Sequence, residues 1–374
     1  MGELMNRAGR KHSIAGIFTL QSINYGNRLQ NYATQSVLMS YFESIETIRV
    51  DSPTIIKKQF EKKHPKFRAF SILYVCYRSV VYILKQIHNE KRRNFKLFDS
   101  LIHFSSTKRY ISIYGCSEKI GDYYDAVIAG SDQIWNVNWK DLCSINSFLP
   151  FENKNKIALS ASFGVDSIVN NPKIAECIYN FKALSVREEE GAAIIKQMCG
   201  RDSEVLIDPT LMLDSYDWEK VEKCPKHYPK GPYILLYFLS PPSIQVTKLL
   251  ESQFEEYTVI RMNDENDLIA KNAGPSEFLY FFHRASLILT DSYHACIFSF
   301  LYNKPFLVFD RNWNGARMNS RLTTFFSKFD LQRKYFSSGI INDIWEHDYS
   351  KSYQKLVIER EKVHRFLKLA IRNL

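Results

Sequence analysis

Short apolar runs, each followed by a stretch of helical spacing, recur along this chain in two separate series, and this alternation limits its fold more than any other feature. The first series places strand-like runs at 14–19, 125–129, 156–163, 183–186 and 205–207. The second places them at 233–239, 258–262, 286–289 and 306–309. Between them lie helical patterns such as Leu29, Ala33, Val37, Leu38 and Tyr41, and the segments 172–181, 192–198, 244–254, 275–284 and 292–302. Apolar runs of this length alternating with helical periods predict parallel sheets covered by helices. Residues 214–232 interrupt the rhythm with Pro225, Pro229, Gly231 and Pro232, which reads as a linker. The expected fold class is therefore α/β, with two Rossmann-like domains facing a cleft. The N-terminal domain is expected over 1–213 and the C-terminal domain over 233–350. The tail, 351–374, contains a basic amphipathic helix expected to pack back on the N-terminal domain.

Residues 51–110 break the pattern and read as inserted helices. Between Lys57 and Lys96 there are twelve Lys and Arg against two Glu, an excess equal to the +10 of the whole chain. The remainder is near neutral, so a surface that coats nucleic acid is not expected. The same stretch carries Phe60, Phe67, Phe70, Tyr74, Tyr77 and Tyr82. Two readings stand: a patch that meets an anionic membrane surface through 57–96, or an ordinary solvated basic face. Arg68, Arg78 and Lys85 interrupt the apolar run, so a spanning helix is not expected. The first apolar run, 14–20, is short and is not followed by a small-residue cleavage site. The seven cysteines are scattered with no CxxC pair, and the nine histidines form neither HxH nor HxxxH. These features point to a reducing compartment, no structural metal and a cytoplasmic protein, which the first reading of the insert would place peripherally on the inner face of the membrane.

Several loops at predicted strand ends carry polar residues suited to chemistry. Asn24 to Arg28 follow the first strand, at the carboxyl end where open α/β sheets bind ligands. Asp132 and Trp135 follow the strand at 125–129, and Arg187 follows that at 183–186. Thr290-Asp291-Ser292-Tyr293-His294 joins a buried strand to an apolar helix. Asp291 or Ser292 can cap that helix, which puts His294 in its first turn, near free N–H groups that favour anions. A histidine there can donate a proton. The competing explanations are a plain cap with a packed histidine, an ion pair of Arg187 with the adjoining glutamates, and an Asx-turn at Asp132.

The segment from Thr290 to Phe306, with Phe298, Ser299, Lys304 and Pro305, resembles the signature of the polysaccharide pyruvyl transferase family. Five further blocks follow in the same order. They are Asn24-Tyr25-Gly26-Asn27-Arg28-Leu29-Gln30, Gly130-Ser131-Asp132-Gln133-Ile134-Trp135-Asn136, Ser185-Val186-Arg187-Glu188, Asp208-Pro209-Thr210, and Arg311 with Asn319-Ser320-Arg321-Leu322. Ala295 stands where the family usually has Gly.

The resemblance implies a GT-B-like fold and transfer of a pyruvyl group from phosphoenolpyruvate to two hydroxyls of a sugar. The ketal would form on a surface polysaccharide or its lipid-linked precursor, with phosphate released and no cofactor beyond that co-substrate. On this reading His294, Asp132 and Asp291 are the candidate catalytic residues. Arg187, Arg321, Arg311 and Ser292 would bind the donor, and Asn24, Asn27 and Trp135 the acceptor. The rival readings are a GT-B glycosyltransferase using a nucleotide sugar and a sugar-binding relative without chemistry.

Overall fold

The computed structural model describes residues 13–374 except 52, 170, 312–319, 337–343, 346 and 373; the side chains of 53–55, 58, 62 and 86–88 also lie outside it. Asn319 of the late motif falls among the residues not described.

The five runs of the first series, joined by Ser44–Thr47, which the apolar pattern does not mark, form a six-stranded sheet. Its strands are β1 (Ile14–Phe18), β2 (Ser44–Thr47), β3 (Ala126–Ala129), β4 (Lys156–Ala161), β5 (Ala183–Val186) and β6 (Glu204–Val205). Every pairing is parallel, in the order β2-β1-β3-β4-β5-β6. The chain order reverses between β1 and β3, where Ala15 pairs Ala126 and Phe18 pairs Ala129. The second series forms a parallel four-stranded sheet of β7 (Tyr233–Tyr237), β8 (Thr258–Met262), β9 (Leu287–Thr290) and β10 (Phe306–Val308), in the order β8-β7-β9-β10. It reverses between β7 and β9. Open parallel sheets bind ligands beyond the carboxyl ends at such reversals. The architecture is that of two Rossmann-like domains, a GT-B-like fold.

Helix α1 (Tyr25–Leu38) leaves β1 through a short loop. Asn24 has extended backbone, and its side chain accepts from Asn27 N–H at 3.1 Å, capping the helix. Tyr25 then enters the C-terminal domain. Its ring lies 4.9 Å from that of Phe278 and 5.7 Å from that of Tyr237, and its hydroxyl donates to the Ala273 carbonyl at 3.0 Å. One hydrophobic cluster accordingly runs from Ala15 and Leu29 in the first domain to Phe278 and Phe298 in the second.

The segment expected as a linker is pinned rather than loose. Trp218 is fully buried, donates its Nε1–H to the Thr210 carbonyl at 3.2 Å, and meets the Tyr32 and Phe298 rings. A tryptophan holds it because one large ring can fill the seam from both sides.

The insert supplies α2 (Pro53–Lys63), α3 (Ser71–His88) and α4 (Glu90–Asp99). α4 is tied to the core by buried Phe95 and Phe98, and to the second domain by Asn94 and Glu90, which bond Asn272. α2 and α3 meet through stacked Phe60 and Tyr74 rings, 4.5 Å apart. By length and composition alone, residues Pro65–Lys85 are apolar enough to cross a membrane, a property the interrupting cations had argued against.

Helices also cover Pro172–Tyr179, Glu189–Cys199 and Ile244–Gln253, as the spacing predicts, and four more bear on the site: α5 (Pro275–Arg284), α6 (Tyr293–Leu301), α7 (Ser320–Phe329) and α8 (Ser350–Ile371). α8 touches both domains: Arg360 donates to the Leu211 and Leu213 carbonyls, and Tyr353 to the Phe300 carbonyl.

Replacing Trp218 with Ala should empty the seam and cost about 3–5 kcal/mol. Chemical denaturation should record this as a lower midpoint with one transition still shared by both domains.

Candidate functional site

The loops leaving β1, β3, β5 and β6 converge on a buried guanidinium. Arg187 has a fully buried side chain. Its Nη1–H donates to Asp208 Oδ2, and its Nη2–H to Asp132 Oδ1 at 3.2 Å. Asp208 also accepts from Thr210 N–H at 2.9 Å and Thr210 Oγ1–H at 2.7 Å. Asp132 sits in left-handed backbone at φ 76°, an uncommon state for a residue with a side chain. Its carbonyl accepts from Ile134 and Ser162 N–H, which fixes the turn. Asn27 bridges α1 to this centre: its Nδ2–H donates to Asp132 Oδ2 at 3.1 Å, and its Oδ1 accepts from Ser22 N–H at 3.2 Å.

The second domain closes the cluster from α6. His294 is buried, and its Nε2 stands 3.6 Å from Asp208 Oδ2, too far for a good hydrogen bond. That nitrogen has no hydrogen-bond partner. Gly26 lies directly against the imidazole, and a Cβ there would collide with Nδ1. The glycine of the N-terminal block therefore allows α1 to approach His294 closely. The Arg187 guanidinium carbon lies 4.9 Å from the Tyr293 ring centre, and that of Arg321 lies 5.5 Å from it. Arg321 is buried, its Nε has no partner, and among the described residues its guanidinium forms no ion pair.

The charges answer one another. Burial pushes the Asp132 carboxyl up, but Arg187, His294 and Arg321 outweigh it and hold the group below its ordinary range. Burial likewise opposes the charge on Asp208, yet Arg187 and His294 keep it well below that range. Arg321 moves the other way: burial, with Arg187 beside it, lowers its pKa to about 10. A cation depressed in this manner gains from an added anion.

The structure gathers His294, Asp132, Arg187, Arg321 and Asn27 and separates others from them. Asp291 neither caps α6 nor reaches the cluster. Its carboxylate accepts from Leu239 N–H, Ser240 N–H and Ser240 Oγ–H, and Arg311 Nε stands 3.5 Å away, so it closes the β7/β9 reversal instead. Arg311 donates to the Asp291 carbonyl at 3.1 Å and belongs to that same corner. Ser292 precedes α6 with no side-chain cap bond. Asn24 is spent on capping α1.

Two assignments need correction. Trp135, expected at the acceptor, is fully buried among Phe148, Phe163 and Phe181, and its Nε1–H donates to the Ser147 carbonyl at 3.1 Å, so it is a core residue. Arg187, expected as a donor clamp or as an ion pair of the adjoining glutamates, has both terminal nitrogens on Asp208 and Asp132; it positions those two groups. Of its neighbours, Glu188 faces inward and accepts from Ser162 Oγ–H and the Phe163 and Gly164 N–H groups.

Three functional contributors were not singled out from sequence. Asp208 was visible only within its Asp-Pro-Thr block, Tyr293 only as the aromatic of its motif, and Gly26 only as a loop glycine. Among the described residues no group of three or more His, Cys, Asp or Glu is arranged to hold a metal ion.

Arg187→Leu should leave two buried carboxylates uncompensated and cost about 3–5 kcal/mol near neutral pH. In the wild type, the depressed Asp132 and Asp208 contribute stability fully above the unfolded carboxylate value of about 3.9, and lose it as pH falls through their lower folded values. Without Arg187, burial raises both groups. The variant's deficit should therefore shrink on acidification toward about pH 4, as urea unfolding at stepped pH can record.

Comparison with curated proteins gives no match. Among solved structures, a S. aureus MnaA–UDP co-structure shares 9% identity over 96% of this chain and 91% of that one, at a TM-score of 0.42. UDP-GlcNAc 2-epimerase from Neisseria meningitidis bound to UDP-GlcNAc shares 9% over 95% and 94%, at 0.41. The glycosyltransferase SnogD from Streptomyces nogalater shares 7% over 96% and 98%, at 0.35. Likenesses this distant carry no inference about chemistry. The profile of the polysaccharide pyruvyl transferase family, in contrast, matches residues 24–312, a span that runs from the cap of α1 past β10 and contains His294, Asp132, Arg187 and Asp208. The chain belongs to the polysaccharide pyruvyl transferase family.

Proposed function

We propose that this protein transfers the pyruvyl group of phosphoenolpyruvate to two hydroxyls of one sugar, forming a cyclic ketal and releasing phosphate. The observation that supports this reading is a buried guanidinium, that of Arg321, with no ion pair among the described residues, near a buried imidazole whose Nε2 makes no hydrogen bond there. Both flank Tyr293, the first residue of α6: the Arg321 guanidinium carbon is 5.5 Å from its ring centre and the His294 ring 5.4 Å from it, at a helix end whose backbone N–H groups also favour an anion. Phosphoenolpyruvate brings two anionic groups to such a place, and a guanidinium suits either of them.

The residues divide the work as follows. His294 donates a proton to C3 of the enol, which makes C2 electrophilic, or holds the phosphate as it departs. One sugar hydroxyl adds to C2 and gives up its proton to Asp132. The C2–O bond to phosphate breaks, and the second hydroxyl attacks C2 to close the ring, its proton passing to the departing phosphate or to the imidazole left neutral by the first step. Asn27 with Arg187 fixes the direction of Asp132, and the surrounding cations keep it ionised but weaken it as a base, so it accepts the proton only from a hydroxyl already bonded to C2, where that proton is strongly acidic. Asp208 steadies His294 and Arg187. The step needs no metal and no redox partner. The acceptor would be a hexose or N-acetylhexosamine of a capsule, exopolysaccharide or wall polymer, or its lipid-linked precursor. The enzyme would work in the cytoplasm, peripheral to the inner face of an anionic membrane.

Purified protein given phosphoenolpyruvate and a panel of galactosides, glucosides and N-acetylmannosaminides should release phosphate and yield a product of ketal mass. His294→Ala should stay folded and lose turnover by at least about a hundredfold. Near-normal phosphate release from that variant would defeat the acid assignment. Phosphoenolpyruvate should also raise the thermal midpoint of the wild type and not of Arg321→Ala, since the bound anion relieves the depressed guanidinium. A midpoint that responds to nucleotide sugars and not to phosphoenolpyruvate would replace this reading with glycosyl transfer.

A further inference from the structure

Helix α3 is amphipathic in the reverse sense for a soluble domain. Phe70, Leu73, Tyr77 and Val80 follow one another at helical spacing, and each is more than half exposed. Ile72 widens this face, at 64% exposure. The side turned toward the first sheet carries Arg78, Tyr82 and Ile83, which border a cavity of 630 Å³ between the hairpin and that sheet. Apolar surface of this extent, directed away from the molecule, marks an interaction site.

We infer that α3 lies within the interface of an anionic membrane, its apolar face in the acyl boundary and its flanking cations at the headgroups. This deepens the membrane placement proposed above and is independent of the chemistry proposed there. Three observations select this occupant. First, cations ring the apolar face: Lys63, Lys66 and Arg68 are exposed before α3 and Lys85 near its end. Anionic lipid complements them, whereas a second copy of this chain would bring two such rings together. Second, the helix does not span. Its neighbours α2 and α4 both return to the first domain, so a crossing would need a second pass. Only α2 is available. It has 11 residues, among them Lys57, Lys58, Lys62 and Lys63, and it reaches about 16 Å against a hydrocarbon core of about 30 Å. Third, α4 anchors the hairpin to the core through Phe95 and Phe98, so an embedded α3 would hold the catalytic domains at a fixed orientation to the bilayer.

The test uses the full chain and vesicles of equimolar phosphatidylcholine and phosphatidylglycerol. Wild type should co-sediment with them and remain partly bound in high salt, because burial of apolar surface is not screened. The triple variant Leu73→Ser, Tyr77→Ser, Val80→Ser should lose at least about tenfold in partitioning, from the apolar area it no longer buries. Its thermal midpoint, and its phosphate release with a soluble acceptor, should stay unchanged. Failure of wild type to bind at low salt would overturn the inference. So would equal binding by the triple variant, or a wild-type dimer that this variant dissociates and that ignores vesicles. Should the triple variant not fold, Tyr77→Trp provides the reading: its added fluorescence should be quenched by brominated acyl chains, and an unquenched signal is equally fatal. An enzyme inactive on every soluble sugar would sink the proposed chemistry and leave the vesicle result standing.

Discussion

Everything near the cleft is arranged around a positive charge that water cannot reach. Arg187 costs free energy to bury and is kept only because Asp208 and Asp132 meet it from two other strand ends. That requirement couples the carboxyl edges of β3, β5 and the loop after β6 into one rigid unit. It also leaves Asp132 with a direction it would not adopt alone, at a backbone angle that the neighbouring N–H groups must hold. The negative charge supplied by Asp208 then faces His294 across the domain boundary. A structural ion pair and the candidate acid thus share one electrostatic balance.

The second domain meets this unit through surfaces that tolerate little change. Gly26 has no room for a methyl group, and Tyr25 beside it is wedged among Phe95, Tyr237 and Phe278. Two consecutive residues of α1 therefore set the distance between the domains, one by having no side chain and the other by having a large one. The cap supplied by Asn24 fixes where that pair begins. This explains why the loop after β1 carries so dense a set of specific residues.

Much of this could be read from sequence, and the exceptions have physical causes. Nine strands declared themselves because parallel strands buried on both faces are continuous apolar runs, and the candidate loops because they follow such runs; the edge strand β2, Ser44–Thr47, did not, because Ser, Glu and Thr leave it no such run. Sequence position does not give the direction of a side chain, however. Trp135 and Asp132 share one loop, yet one turns into the core and the other toward His294. Asp291 and Ser292 stand before a helix as caps do, but Asp291 finds three donors across the β7/β9 reversal and goes there instead. Asp208 escaped notice because its partner Arg187 is 21 residues away in the chain. The apolar content of α3 was plain, but composition cannot say whether such a face is turned inward or outward.

The hydrophobic cluster shared by the two sheets has a consequence for how such enzymes can diversify. Donor and acceptor halves of many two-domain transferases can be imagined as interchangeable modules, each folding alone and exchanged by recombination. Here neither half owns a complete interior: Tyr25 belongs by sequence to one and by packing to the other, while Trp218 and α8 are held in common. A transplanted half would arrive with part of its core missing. New acceptor preferences in this lineage are therefore expected to arise by substitution within loops of an intact pair, and not by the exchange of whole domains.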